Sequence, residues 1–199
     1  MAAPRAKLRL KSPAGVCRAA GDTFLLTETA VSATPCKVLD MGTGEGYVAI
    51  ELANRGFDVE ACDVCKSALV ASRENAARHA ANVTFFHSDL WQNAGKYDLV
   101  LFNPPLSGNP PLIKGLFRRV PFTDLLSPVH YMLFGSFRRS IVRRFISGSG
   151  KHLRDNGRIL MVVLWGELGY AEQLAAGHGY ALRVVRKAGR HSIVELKRS

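Results

Sequence analysis

Cysteine is scarce in this chain of 199 residues, which has four: Cys17, Cys36, Cys62 and Cys65. So few cysteines do not suffice for a disulfide-stabilised extracellular scaffold of this length. Long apolar runs are also missing, because none approaches the roughly 18 residues that cross a bilayer. These two absences exclude a disulfide scaffold and a membrane-spanning chain, and we expect a reduced, cytoplasmic protein.

Metal-binding patterns are equally sparse. Cys62 and Cys65 have C-x-x-C spacing, but no second cysteine or histidine pair lies at zinc-finger distance, so we predict no metal site. Two small residues packed at the end of a strand explain the pair better. No Ser-His-Asp or Cys-His arrangement is evident in the sequence either.

Acidic residues are absent from residues 1–20, which contain five basic ones, and nearly absent from residues 109–158, where ten basic residues stand against two acidic ones. Residues 21–108 have the opposite balance, with six basic and eleven acidic residues. The net charge of +11 is therefore concentrated in two segments of the chain. Such segments favour nucleic acid, an anionic membrane surface or an acidic protein as partner.

The basic N-terminus has two interpretations. An Arg-rich start without acids is compatible with a transit peptide. Residues 7–11 also alternate charged and apolar side chains, which fits a basic strand at the edge of a sheet.

Short apolar runs alternate with helical patterns, which is typical of a parallel α/β sheet. We predict strands at Lys37–Asp40, Val59–Cys62, Val83–His87, Asp98–Phe102, Ile159–Leu164, Ala181–Arg186 and Ser192–Lys197. We predict helices at Tyr47–Arg55, Lys66–Ala81, Phe137–Leu153 and Tyr170–Gly177. A turn is expected at residues 155–157, and the short link between the last two strands predicts an antiparallel hairpin. Residues 1–199 are thus expected to form one domain around a doubly wound, mostly parallel seven-stranded sheet.

A glycine-rich loop follows the first predicted strand, from Asp40 to Gly46. Its glycines, at positions 42, 44 and 46, allow a sharp turn and the close approach of a ligand. Their spacing is G-x-G-x-G rather than the G-x-G-x-x-G of dinucleotide enzymes, and Glu45 inside the loop would repel a pyrophosphate. A ligand with an ammonium group and no phosphate, such as S-adenosylmethionine, fits better.

Two further acids follow the next two predicted strands. Asp63 is placed to accept hydrogen bonds from ribose hydroxyls, and Asp89 to accept one from an adenine amino group. Each could instead be an ordinary surface or capping acid, and Asp63 in particular could cap the helix predicted from Lys66. Acids at successive strand ends, together with the glycine loop, indicate a nucleoside-containing cofactor.

Val38–Ala53 resembles motif I of class I S-adenosylmethionine-dependent methyltransferases, and Asn103-Pro104-Pro105-Leu106 resembles their N/D-P-P-Y/F/W/L signature. Gly15-Val16 with Asp22–Leu26 is similar to an element of the small archaeal and eukaryotic branch of HemK-type protein glutamine N5-methyltransferases. The resemblance spans roughly residues 12–106, and the basic segment 109–158 lies outside it.

The resemblance implies a Rossmann-like fold, S-adenosylmethionine as cofactor and an N-methyltransferase acting on a planar nitrogen. It implies these cofactor-binding residues: Thr23, Asp40, Gly42, Gly44, Glu45, Gly46, Asp63, Val64, Asp89, Leu90 and Asn103. It implies that Asn103, Pro104, Pro105 and Leu106 are catalytic, with the Asn103 side-chain oxygen and the Pro104 carbonyl accepting the two N–H bonds of the target. It also implies residues 1–36 as a basic, cofactor-capping element and a small zinc-binding activator subunit as a possible partner.

Leu106 departs from the family pattern, because glutamine-modifying members have an aromatic residue there. Phe102, Phe117 and Phe122 are candidates to supply the missing ring.

The identity of the target stays open. The resemblance favours a protein glutamine side chain, as in a release factor, whereas the basic segment 109–158 favours an RNA or DNA base, adenine N6 or guanine N2. We expect six arginines of that segment to bind the substrate: Arg118, Arg119, Arg138, Arg139, Arg143 and Arg144. The last four lie along the helix predicted at Phe137–Leu153, and we expect them to occupy its solvent face. A third hypothesis is a non-catalytic module that binds S-adenosylmethionine or RNA.

Overall fold

A computed structural model of the chain describes residues 8–14, 16–105 and 128–199, with side chains from residue 135 in the last range. The helices of the described part are α1 (Gly21–Ala30), α2 (Tyr47–Ala53), α3 (Lys66–Arg78), α4 (Pro128–Gly148) and α5 (Leu168–Ala176). The strands are β1 (Lys37–Met41), β2 (Asp58–Asp63), β3 (Val83–His87), β4 (Tyr97–Phe102), β5 (Leu153–Leu164), β6 (Tyr180–Ala188) and β7 (His191–Arg198).

The seven strands form one sheet in the order β3-β2-β1-β4-β5-β7-β6. Neighbours from β3 to β5 pair in parallel, and β7 runs antiparallel to both β5 and β6. The predicted α/β class, the mostly parallel sheet and the C-terminal hairpin are therefore confirmed. The first five strands all end at one edge of the sheet, called the carboxyl edge below, and ligands of such sheets bind there.

Helices cover both faces of the sheet, as the alternation of side chains along β4 shows. Leu99 and Leu101 pack with Leu26 of α1 and Leu52 of α2. Val100 and Phe102 instead pack with residues of α4, including Phe145 and Ile146. Along the described part of the chain, no helix is both long enough and apolar enough to cross a membrane.

The N-terminal region differs from the prediction in two ways. The edge strand considered for residues 7–11 was wrong, because residues 8–11 form no strand, and the sequence did not predict α1. Only Leu26, Thr27 and Ala30 of α1 are buried, so its sequence lacks the wide apolar stripe that identifies a helix.

The expected turn at residues 155–157 is a distortion inside β5 instead. Tyr97 pairs with Leu153 and Leu99 pairs with Arg158, so the four residues of β5 between Leu153 and Arg158 have no partner on β4. Asn156 has φ +63°, a conformation that asparagine tolerates better than most residues. Consequently β5 begins six residues before the predicted strand, and α4 ends at Gly148 rather than Leu153.

Candidate active site

The glycine-rich loop turns away from β1 at the carboxyl edge and is held against β2, where the Cys62 carbonyl accepts hydrogen bonds from the N–H groups of Gly42 and Thr43. Gly44 and Gly46 have φ of +57° and +90°, in the left-handed region that favours glycine. A Cβ at Gly44 would lie 3.2 Å from the Cys17 carbonyl oxygen. The loop is therefore in close contact with the N-terminal segment.

Asp40 and Asp63 are held by neutral donors. The Asp40 carboxylate accepts a 2.7 Å bond from the Thr43 hydroxyl. Asp63 accepts one bond from the Gly44 N–H at 3.0 Å and another from the Cys65 N–H at 2.8 Å. Burial raises the pKa of Asp40 to about 6, and burial also raises the pKa of Asp63. This end of the site thus carries negative charge that no ion pair of the described residues neutralises.

Glu45 has partners that the sequence did not suggest. Its buried carboxylate accepts hydrogen bonds from the Ser12 hydroxyl and, at 2.7 Å, from the Ala19 N–H. We call residues 11–14 and 16–19 the N-terminal strap. In this structure Glu45 anchors the strap, whereas the sequence predicted that its carboxylate would face the ammonium group of a ligand.

Asn75 of α3 fixes the same strap from the other side. Its side chain is fully buried and exchanges two hydrogen bonds with the Lys11 backbone, at 2.9 and 3.0 Å. It also donates to the Glu45 carbonyl at 2.9 Å. Sequence reasoning did not place Asn75 in the site. Only the fold shows that it joins the strap to the glycine loop.

The remaining predicted cofactor residues lie at the ends of β2 and β3. Val64 is exposed, and its carbonyl lies 3.1 Å from His87 Nε2. Asp89 forms a 2.7 Å ion pair with Arg144 of α4, and both side chains are about half exposed. Leu90 has φ +50°, and its carbonyl accepts a bond from the Ser88 hydroxyl. The structure therefore links a predicted cofactor residue, Asp89, to a predicted substrate residue, Arg144.

Asn103, Pro104 and Pro105 follow β4 directly at the carboxyl edge. The Asn103 amide donates to Asp22 Oδ2 at 3.0 Å and to Thr23 Oγ1 at 3.1 Å, both on α1. Its Oδ1 atom is buried and has no hydrogen-bond partner among the residues that the structure describes. A buried acceptor without a partner costs about 1–3 kcal/mol, so this oxygen is suited to an N–H group of a ligand.

The aromatic residue that Leu106 lacks is not supplied by Phe102. That ring is buried and stacks on Phe145 with centroids 4.3 Å apart, within the core. Leu106, Phe117 and Phe122 lie outside the described residues.

Three of the six arginines predicted to bind substrate are exposed on α4: Arg139, Arg143 and Arg144. Arg118 and Arg119 lie outside the described residues. The expected solvent exposure of Arg138 was wrong, because its side chain is buried and forms an ion pair with Glu167 beyond β5. Arg138 shares a helix face with Val142 and Phe145 at spacings of four and seven residues, and that face packs on the sheet.

Arg138 and Glu167 line a small cleft behind the Asn103-Pro104-Pro105 turn. Pro104, Val163 and Tyr170 complete its walls. Nothing local in the sequence indicated this pair, because the two residues belong to separate elements that meet only in the fold.

The sequence model of the methyltransferase small domain matches residues 12–118. A Methanocaldococcus jannaschii protein, provisionally named a protein N5-glutamine methyltransferase, is 31% identical over 80% of this chain and 79% of its own length. The release factor glutamine methyltransferase of Bacillus subtilis is 31% identical over 65% of this chain and 46% of its own length. The chain thus spans about half of that bacterial relative.

An RNA-directed relative and a solved structure complete the comparison. The ribosomal RNA small subunit methyltransferase C of Alcanivorax borkumensis is 32% identical over 70% of this chain but 35% of its own length. The ribosomal protein L11 methylase of Lactobacillus delbrueckii superposes with a TM-score of 0.71, at 21% identity, over 96% of this chain and 84% of that one. This structural likeness concerns the fold.

Proposed function

This chain belongs to the methyltransferase small domain family, and we propose that it methylates the side-chain amide nitrogen of a glutamine in a protein substrate. Family membership makes it an S-adenosylmethionine-dependent methyltransferase, as the sequence predicted. The relatives named for glutamine methylation support this target. So does the unpartnered Asn103 oxygen, which is the observation that carries the proposal.

The cofactor, when bound, supplies an electrophilic methyl group on a positively charged sulfonium. We propose that Asp40, Asp63 and the backbone of the glycine loop hold it, with Thr23, Val64, Asp89 and Leu90 completing the site. The buried carboxylates fit this cofactor, because a cationic ligand gains most where negative charge has no other partner. The bonds from Glu45 to the strap support a capping role for residues 1–36.

An amide nitrogen is a weak nucleophile because its lone pair is delocalised into the carbonyl group. We propose that Asn103 Oδ1 and the Pro104 carbonyl each accept one N–H bond of the target and direct the nitrogen toward the methyl donor. The hydrogen bonds to Asp22 and Thr23 hold the Asn103 amide in one orientation. Positioning and electrostatics then supply the rate enhancement, and the step requires no strong base.

The test is transfer of a radiolabelled methyl group to a release factor that contains a Gly-Gly-Gln loop, with the modified residue identified by mass spectrometry. Asn103→Ala should lower the rate about 10²- to 10³-fold while S-adenosylmethionine affinity, measured by calorimetry, stays nearly unchanged. Asn54→Ala, at an exposed position after α2, is the matched control. Full activity of Asn103→Ala would refute the assignment of the target pocket.

A second candidate target is an RNA base, adenine N6 or guanine N2. The ribosomal RNA methyltransferase relative and the exposed arginines of α4 support it. Methyl transfer into a cell extract separates the two targets, since protease removes the label from a protein and nuclease removes it from RNA. A protein that binds S-adenosylmethionine but labels neither fraction would be a non-catalytic module.

We also propose a small zinc-binding partner and a cytoplasmic location, where release factors and ribosomal RNA are found. The edge strand β3, whose Val83, Phe85 and Phe86 are half-buried, gives such a partner an apolar strand to cover. Copurification of a zinc-containing small protein with the tagged chain from its native cells would test this.

A further inference from the structure

Trp165 is exposed at the carboxyl edge, directly after β5. About two thirds of its side chain, 68%, is open to solvent. The Lys187 ammonium group lies 5.7 Å from the centroid of the ring, within cation–π distance. An exposed indole ring beside a cation can serve as a platform on which a planar ligand group stacks.

The hairpin of β6 and β7 sets the Lys187 ammonium group beside this ring. The backbone N–H of Trp165 donates to the Arg190 carbonyl at 3.0 Å, and Leu164 of β5 lies opposite His191 of β7. Gly189, at φ +55°, makes the tight turn that brings Lys187 and Arg190 back to Trp165. Arg186, next to Lys187 on β6, pairs with Glu28 of α1 at 3.1 Å, whereas no ion pair of the described residues involves the exposed Lys187 and Arg190.

A second aromatic side chain with a cation lies after the same strand. The Arg139 guanidinium is 5.3 Å from the centroid of Tyr170, and the Tyr170 hydroxyl donates to the Arg139 carbonyl at 3.2 Å. Glu167, between the two aromatic residues in sequence, is buried and paired with Arg138. Its charge therefore does not offset the exposed cations.

The two aromatic residues lie at the same edge of the sheet as the proposed methyl-transfer site. β4 and β5 are parallel neighbours with Phe102 opposite Met161, so the Asn103-Pro104-Pro105 turn and Trp165 leave the sheet at the same edge. Tyr170 and Pro104 line the same cleft. We call Trp165, Tyr170, Arg139, Lys187 and Arg190 the aromatic-basic surface.

We propose that the aromatic-basic surface binds single-stranded RNA. Flat aromatic faces accept unpaired bases, and cations a few ångströms away accept the phosphates of the same strand, which is the combination that single-strand binders use. An acidic peptide would use the cations but would leave the Trp165 face without a planar partner. The contact does not depend on which residue is methylated, so it goes beyond the proposed function.

The experiment measures the anisotropy of a labelled, mixed-sequence oligoribonucleotide of about 12 nucleotides bound to the full chain. Trp165→Ala should raise Kd about tenfold, and Trp165→Phe should restore most of the affinity because it retains a stacking face. Lys187→Ala should weaken binding and reduce the slope of log K against log salt by about one. Lys151→Ala, exposed just before β5 at the opposite edge, should leave Kd within about twofold.

Methyl transfer to a glutamine peptide, measured on the same variants, should be unchanged by Trp165→Ala. Loss of RNA binding would thus be distinguishable from failure of the proposed function. Equal Kd values for the wild type, Trp165→Ala and Lys187→Ala would overturn the proposal. It would also be overturned if the wild type failed to bind RNA, or if these variants lost affinity for polyglutamate and not for RNA.

Discussion

Carboxylates in two regions of the carboxyl edge are held in opposite ways. Beside β1 and β2, Asp40 and Asp63 accept hydrogen bonds from hydroxyl and backbone N–H groups. On the side of α4, arginines neutralise Glu167 and Asp89. The first region keeps buried negative charge, and the second keeps exposed positive charge.

The difference agrees with the two proposals, which place a cationic cofactor on one side of this edge and an anionic RNA strand on the other. Neutral donors orient a carboxylate without cancelling its charge, so Asp40 and Asp63 keep the negative charge that the proposed binding of the sulfonium cofactor requires. On the side of α4, ion pairs with arginines neutralise Glu167 and Asp89. Arg139 and Arg143 therefore keep positive charges that face solvent. The acidic balance of residues 21–108 thus corresponds to the carboxylates beside β1 and β2, and the basic balance of residues 109–158 to the exposed arginines of α4.

The largest expected effect concerns the buried ion pair. Arg138→Ala should lower the free energy of unfolding by about 3–5 kcal/mol, because it leaves Glu167 buried without its partner. Chemical denaturation measures this, with Arg143→Ala, exposed on the same helix, as control, for which we expect a change of about 0.5 kcal/mol or less. Equal losses in the two variants would mean that burial of the pair has no energetic consequence.

On the cofactor side, Asp63→Ala should weaken S-adenosylmethionine binding about 10- to 100-fold. The variant removes an acceptor for the ligand and also the two bonds that hold Gly44 and Cys65. Calorimetry gives the affinity, and Asp58→Ala, exposed at the start of the same strand, is the control. An affinity unchanged by Asp63→Ala would contradict the assignment of this carboxylate to the cofactor site.

Asp40 should make stability depend on pH. Its pKa is about 6 in the folded protein and near 4 in an unfolded chain, so the folded state holds the extra proton between these values. The contribution of Asp40 to the free energy of unfolding is therefore most favourable below about pH 4. It falls by up to about 3 kcal/mol as the pH rises through about 6. In the cofactor-free protein, Asp40→Asn should recover this loss at pH 7.5.

Urea unfolding at pH 4 and pH 7.5 measures the effect, with Asp58→Asn as an exposed control. Asp40→Asn should be more stable than the wild type at pH 7.5 alone, while its affinity for S-adenosylmethionine falls. A gain of the same size at both pH values would show that the charge of Asp40 is not the cause.

The smallest effect is expected where the two regions meet. Arg144→Ala breaks a half-exposed ion pair with Asp89, which is worth at most about 1 kcal/mol. S-adenosylmethionine affinity should therefore change by about fivefold at most, and the difference from wild type should shrink at high salt. Arg143→Ala is the matched control. A large, salt-independent loss would make Arg144 part of the cofactor site.

The strands of the sheet could be predicted well because turn residues bound their apolar runs, and β3 matches the predicted Val83–His87. The start of β5 could not be predicted, because residues 155–157, which are typical of a turn between elements, form a distortion within the strand. The glycine loop and the Asn103 turn are local in sequence, so their motifs could predict them as parts of a site. The partners of Asn103 and of Arg138 belong to elements that are distant in sequence, so no local sequence pattern could predict these contacts.

The hydrogen bond from Asn103 to Asp22 makes the identities of these two positions depend on each other. The family signature allows asparagine or aspartate at the first position of its turn. With Asp22 only 3.0 Å away, an aspartate at position 103 would bring two carboxylates together in a half-buried site. Replacing Asn103 by aspartate would thus require a compensating change at Asp22, and the two substitutions should be tolerated together better than Asn103→Asp alone.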